Sequence, residues 1–134
     1  MLLRLILRQP NSLKEWRLVD QAVSSVLLRL ECLRSLDRVK LRAQLSDREH
    51  AEMRSALLQL LDSVHLVELD APVLDRASQP LPTELGTLDA IHLATALLWR
   101  ETFAAEITLA THDVSLAIAA RAQGYPVLGV TIPV

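Results

Sequence analysis

At 134 residues the chain is long enough for one domain with a single sizeable core, and we expect residues 1–134 to form one domain. Hydrophobic residues make up 51% and charged residues 22%, which excludes a disordered chain, and a net charge of −2 means that any RNA contact has to use a local patch. The one cysteine, Cys32, excludes an internal disulfide framework.

The opening Met1-Leu2-Leu3-Arg4-Leu5-Ile6-Leu7-Arg8 is apolar but short, and Arg4 and Arg8 interrupt it. It reads as neither a signal peptide nor a membrane span, so a cytoplasmic protein is expected. Nothing caps its start, so it reads as the middle of an element, which Pro10 and Asn11 break. A helix is predicted from Ser12 to about Gln21. A strongly apolar helix follows, from about Ser25 to Ala43. Val26, Leu27, Leu30 and Leu33 form one stripe on it, and Leu28, Cys32, Leu36 and Val39 form another, which predicts burial on most sides. The polar line that remains is Ser24, Glu31, Arg34, Ser35 and Arg38. Cys32 is expected to be a small core residue.

Ser46-Asp47-Arg48-Glu49 is a capping box, with Ser at the cap and Glu three positions on, and it predicts a helix to about Leu61. Val64 to Leu69 reads as a strand. Asp70 caps a short helix with Pro72 in its first turn. The stretch from Ser78 to Gly86 contains Pro80 and Pro82 and reads as a loop. From Thr87 a helix that is apolar nearly all round is predicted to lie in the core. Ile107 to Ala110 reads as a short buried strand, Asp113 starts a last helix, and Gly124 ends it. Pro126 to Val130 reads as the final strand. Strands separated by helices predict an α/β fold, a parallel sheet with helices on both faces.

In open parallel sheets, ligands bind outside the carboxyl ends of the strands, so acids just after strands or at helix starts are the candidates. Asp113 follows the Ile107-Thr108-Leu109-Ala110 strand, and Asp89 lies in the first turn of the apolar helix. Glu31 lies on the polar line of the other buried helix. Each has a plain alternative. Asp113 is explained as an N-cap, Asp89 as a complement to the helix dipole, and Glu31 as a partner of Arg34 or Ser35. If the three converge, their repulsion requires a cation, and oxygen ligands suit Mg²⁺ or Mn²⁺. His92 and His112 lack the spacing of a transition-metal site, and three isolated glycines make no phosphate loop.

The run Thr87-Leu88-Asp89-Ala90-Ile91-His92-Leu93-Ala94-Thr95-Ala96 resembles the signature helix of PIN domains. Thr111-His112-Asp113, with Leu116, Ala119, Ala120 and Gly124 after it, resembles that family's last motif, and Ser25 to Arg34 resembles its second motif, which carries a Glu on a helix. Order and spacing fit across essentially the whole chain. The resemblance implies a three-layer PIN-like fold and a metal-dependent endoribonuclease of the VapC toxin type. It implies that Glu31, Asp89 and Asp113 are three of four acidic residues that hold Mg²⁺ or Mn²⁺ and carry catalysis. It further implies an RNA substrate, an antitoxin protein as partner, a homodimer, and no membrane.

The resemblance departs from the family pattern at the start. Residues Leu2 to Pro10 are similar to the helix that follows the family's first strand, so that strand and its Asp are expected to be missing, with impaired catalysis as the consequence. The competing expectation is a catalytically inactive PIN-like module that binds an antitoxin or self-associates.

Overall fold

The structure is a computed structural model and describes residues 14–131. The expectations about the opening residues, including the missing strand, fall outside the described part. The chain divides into two compact units, residues 1–66 and 67–134.

The first unit begins with a short 3-10 helix, Lys14–Leu18, where a longer α-helix was expected. Strand β1, Ala22–Ser25, was not foreseen. Its four residues include a single β-branched side chain, too little for a strand signal. It pairs with β2, Val64–Val67, in a two-stranded sheet.

Between these strands in the chain come two helices, α1 at Leu27–Ala43 and α2 at Asp47–Asp62. The Ser25 hydroxyl, buried at the end of β1, accepts from Leu27 N–H at 3.2 Å and helps start α1. Gln44, in the left-handed region at φ 50°, ends it. The capping box of α2 forms as predicted. Ser46 Oγ accepts from Glu49 N–H at 3.1 Å, and Glu49 Oε2 accepts from Ser46 N–H at 2.8 Å.

Cys32, Leu36, Leu57, Leu61 and Val64 form the core of this unit, with Leu28, Leu33 and Met53 packed against it. Burying a leucine of this kind contributes about 1.5–3 kcal/mol. The Cys32, Leu36 stripe is therefore the core stripe. The second predicted stripe is not covered throughout, because Leu30 is 58% exposed.

The second unit contains α3 at Ala71–Ala77, α4 at Thr87–Phe103, β3 at Leu109–Ala110, α5 at Val114–Ala122 and β4 at Val127–Leu128. Asp70 caps α3 by accepting from Val73 N–H at 3.1 Å, with Pro72 in the first turn. Helix α4 buries Ala90, Ile91, Leu93, Ala94, Thr95 and Leu97, as its all-round apolar sequence predicts. The Thr95 hydroxyl satisfies itself on the Ile91 carbonyl at 2.8 Å.

Leu93 and Leu97 of α4 meet Leu109, Leu116, Ala119, Ala120 and Tyr125 in one core cluster. Strands β3 and β4 pair in parallel, with Leu109 opposite Val127 and Ala110 opposite Leu128. Each strand is two residues long, shorter than the sequence suggests.

Helix α5 ends in a Schellman motif. Tyr125 N–H bonds the Ala120 carbonyl at 3.0 Å and Gly124 N–H bonds the Arg121 carbonyl at 2.9 Å. The motif needs a left-handed residue, and Gly124 supplies it at φ +86°. Tyr125 is thereby turned into the core, two residues before β4. Parallel strands joined through a helix give the α/β architecture that the order of elements predicts.

Candidate active site

The site is best built from β3 outward. Thr111 N–H continues the parallel ladder by donating to the Leu128 carbonyl at 3.0 Å. The buried Thr111 hydroxyl then accepts from Asp113 N–H at 3.0 Å, a tight turn closed by its own side chain. His112 Nδ1 lies 2.7 Å from the Gly129 carbonyl oxygen, just beyond β4. Asp113 caps α5, with Oδ1 accepting from Leu116 N–H at 2.7 Å. The plain N-cap reading of Asp113 is therefore correct, and it leaves room for the other. The residue is exposed and the cap uses one of its two carboxylate oxygens.

Asp89 sits at the third position of α4, half-buried, in a turn that has no side-chain cap. Gly86 occupies the cap position, and its carbonyl accepts the first intrahelical bond from Ala90 N–H at 2.9 Å. An acid in this turn faces the positive end of the helix dipole. The loop that delivers α4 is fastened to α5, because the Thr83 hydroxyl donates to the Ser115 carbonyl at 3.2 Å. Ser115 is two residues past Asp113. His92, one turn after Asp89, is half-buried.

Glu31 belongs to the first unit, where it lies half-buried on α1 next to Cys32. Burial pushes the Cys32 thiol up from its ordinary range, and the neighbouring Glu31 charge adds to the same direction.

The donor chemistry of Glu31, Asp89 and Asp113 fits a hard divalent cation, since all three offer carboxylate oxygen. Among the described residues, no group of three or more His, Cys, Asp or Glu side chains forms a cluster that could hold a metal ion. The fit thus concerns the type of donor, and a finished cage is not part of it.

Sequence reasoning singled out the three acids as candidates but missed what surrounds Asp113. The threonine turn had a readable signal, since Thr two residues before an acid is a local motif. The bond from His112 to Gly129 spans seventeen positions and had none.

The sequence model of the PIN domain family matches residues 1–122. Ribonuclease VapC46 of Mycobacterium tuberculosis (strain ATCC 25618 / H37Rv) is 41% identical over 98 residues, which cover 71% of this chain and 68% of that protein. No solved structure matches the chain. The match includes the signature helix around Asp89 and the Thr111-His112-Asp113 turn, as their motifs anticipated, and extends over both units. The chain belongs to the PIN domain family, and within it to the VapC type.

Proposed function

We propose that this chain is a metal-dependent endoribonuclease toxin in which Asp89 and Asp113 hold Mg²⁺ or Mn²⁺. The observation that carries the reading is the presentation of Asp113. It stands exposed at the carboxyl end of β3, fixed by a side-chain turn and a helix cap. Glu31 is assigned the same role on its sequence motif alone.

A bound divalent ion would lower the pKa of a water and offset charge on the scissile phosphate. The chain's own contribution is orientation. Leu116 N–H holds Oδ1 of Asp113, so the carboxylate meets a ligand without first losing rotational freedom. The N-termini of α4 and α5 lie at the two acids and favour negative charge, so they suit an RNA phosphate.

Family membership also supports an antitoxin protein as partner, and we extend the proposal to a homodimer acting in the cytoplasm. Among the described residues, no helix is long and apolar enough to cross a membrane.

The test is RNA cleavage with Mg²⁺ or Mn²⁺ by the wild-type chain, Asp89→Asn and Asp113→Asn. Asn caps a helix as well as Asp does, so the second variant keeps α5 intact. Cleavage by the wild type and background levels in both variants are expected. Equal cleavage by all three overturns the reading.

The second reading is a non-catalytic module that binds an antitoxin or itself. Calorimetry with Mn²⁺ separates the two, since one-site binding that disappears in Asp113→Ala counts against an inert module.

A further inference from the structure

We propose that His112 is a positioning residue for Asp113. Its Nδ1–H, bonded to the Gly129 carbonyl, ties the strand-to-helix turn to the end of β4. The role in catalysis rests on Asp113 being a metal-binding carboxylate, as proposed above; the tether itself does not.

A backbone carbonyl can only accept a hydrogen bond, so at 2.7 Å the proton must reside on Nδ1. In the neutral ring Nε2 then carries a lone pair. That atom is buried and has no hydrogen-bond partner among the described residues. The ring is therefore bonded on one side only, which suits an anchor and not a relay.

The need for an anchor follows from the shortness of the strands. The β3–β4 ladder is two residue pairs long, and its bonds include Leu109 N–H to the Pro126 carbonyl at 2.9 Å and Thr111 N–H to the Leu128 carbonyl at 3.0 Å. Past Thr111 the backbone leaves the ladder. The remaining bonds on Asp113, from its own N–H to Thr111 Oγ1, from Leu116 N–H to its Oδ1 and from Ala117 N–H to its carbonyl, are all internal to the turn and helix. They fix the shape of the turn but not its place against β4. The imidazole adds one more rung, with a side chain standing in for backbone. Gly129 at φ +98° is the residue that turns its carbonyl to receive it, in a conformation that L side chains rarely adopt.

The test uses the stereochemistry of amides. Asn at position 112 places an N–H where Nδ1 stands, whereas Gln places one nearer the Nε2 position. In wild type, His112→Asn, His112→Gln and His112→Ala, we expect Asn to retain metal-dependent RNA cleavage. Gln and Ala should lose about 10–100-fold in kcat or in Mn²⁺ affinity, the usual cost of removing a group that orients a ligand. KM for RNA should hold, because no substrate contact is removed. Equal loss in Asn and Ala overturns the proposal.

Two further readouts do not depend on activity. Long-range proton–nitrogen NMR of the neutral ring should show the proton on Nδ1, and a proton on Nε2 overturns the tether. Hydrogen exchange at the Leu116 amide should quicken in Gln and Ala and recover in Asn; unchanged exchange overturns the positioning role. A wild-type chain that cleaves no RNA defeats the nuclease reading, while these two measurements still decide on His112.

Discussion

Tyr125 shows what a single residue can be used for in this fold. It is 3% exposed, its ring lies 4.1 Å from the Arg100 guanidinium carbon, and its hydroxyl is buried with no hydrogen-bond partner among the described residues. Burial pushes the hydroxyl's pKa up, outweighing the nearby Arg100 charge that pulls it down. Arg100 is held on the other side by its bond to the Gln123 carbonyl at 2.8 Å. The ring therefore does the stabilising, by packing and by its contact with the cation, and the hydroxyl adds an unsatisfied group that costs energy. Tyr125→Phe keeps the ring and should leave stability unchanged or raise it by up to about 1 kcal/mol, read as an equal or higher Tm. A drop in Tm would mean that the hydroxyl has a partner after all.

Among the elements, the start of α2 is the most fully specified by local sequence. Ser46→Ala removes one half of the capping box and should cost about 1 kcal/mol in denaturant unfolding. The same turn should respond to acid. The bonds from Ser46 hold the Glu49 carboxyl below its usual range, and the Lys40 ammonium at 2.8 Å does the same for Asp47. A carboxyl whose folded pKa lies below its unfolded value stabilises the fold above the unfolded pKa. That contribution is lost as pH falls through the folded pKa. Protection in the first turn of α2, read as exchange relative to the intrinsic rate at each pH, should therefore fall on acidification below the ordinary carboxylate range, and less so in Glu49→Gln.

The caps at Ser46 and Asp70 and the Gly124 stop were legible because each is decided within five residues. The strands were less legible because strand pairing is decided far away in the sequence. Ala22–Ser25 becomes a strand through its pairing with Val64–Val67, and nothing in Ala-Val-Ser-Ser announces it. The second stripe of α1 failed for the same reason, since periodicity shows that Leu30 shares a face but not whether anything covers that face. In the candidate site, Asp113 could be read twice over, as cap and as ligand, because both roles leave the same mark. The imidazole tether beside it leaves none.

For the molecule as a whole, the two units raise the question of cooperativity. Each has a core cluster of its own, one around Leu36, Leu57 and Leu61, the other around Leu93, Leu97 and Leu116. The family match runs across both, and we propose that they unfold as one domain. Leu57→Ala and Leu93→Ala should each cost about 2–5 kcal/mol. In a one-domain molecule each variant lowers the midpoint of a single denaturant transition, seen alike by circular dichroism and fluorescence. Two separate transitions, each sensitive to one variant, would reject that proposal.

The Schellman hand-off from α5 to β4 has a consequence for how this sequence can vary. From Ala122 through Gly124 and Tyr125 to Val127 the chain acts as a ruler, because Tyr125 is pinned in the core before the strand begins. One residue added or removed there slides β4 by about 3.3 Å and turns each of its side chains to the opposite face. Gly129 would then no longer arrive opposite the histidine. Drift in chain length is therefore disfavoured between the last helix and the last strand.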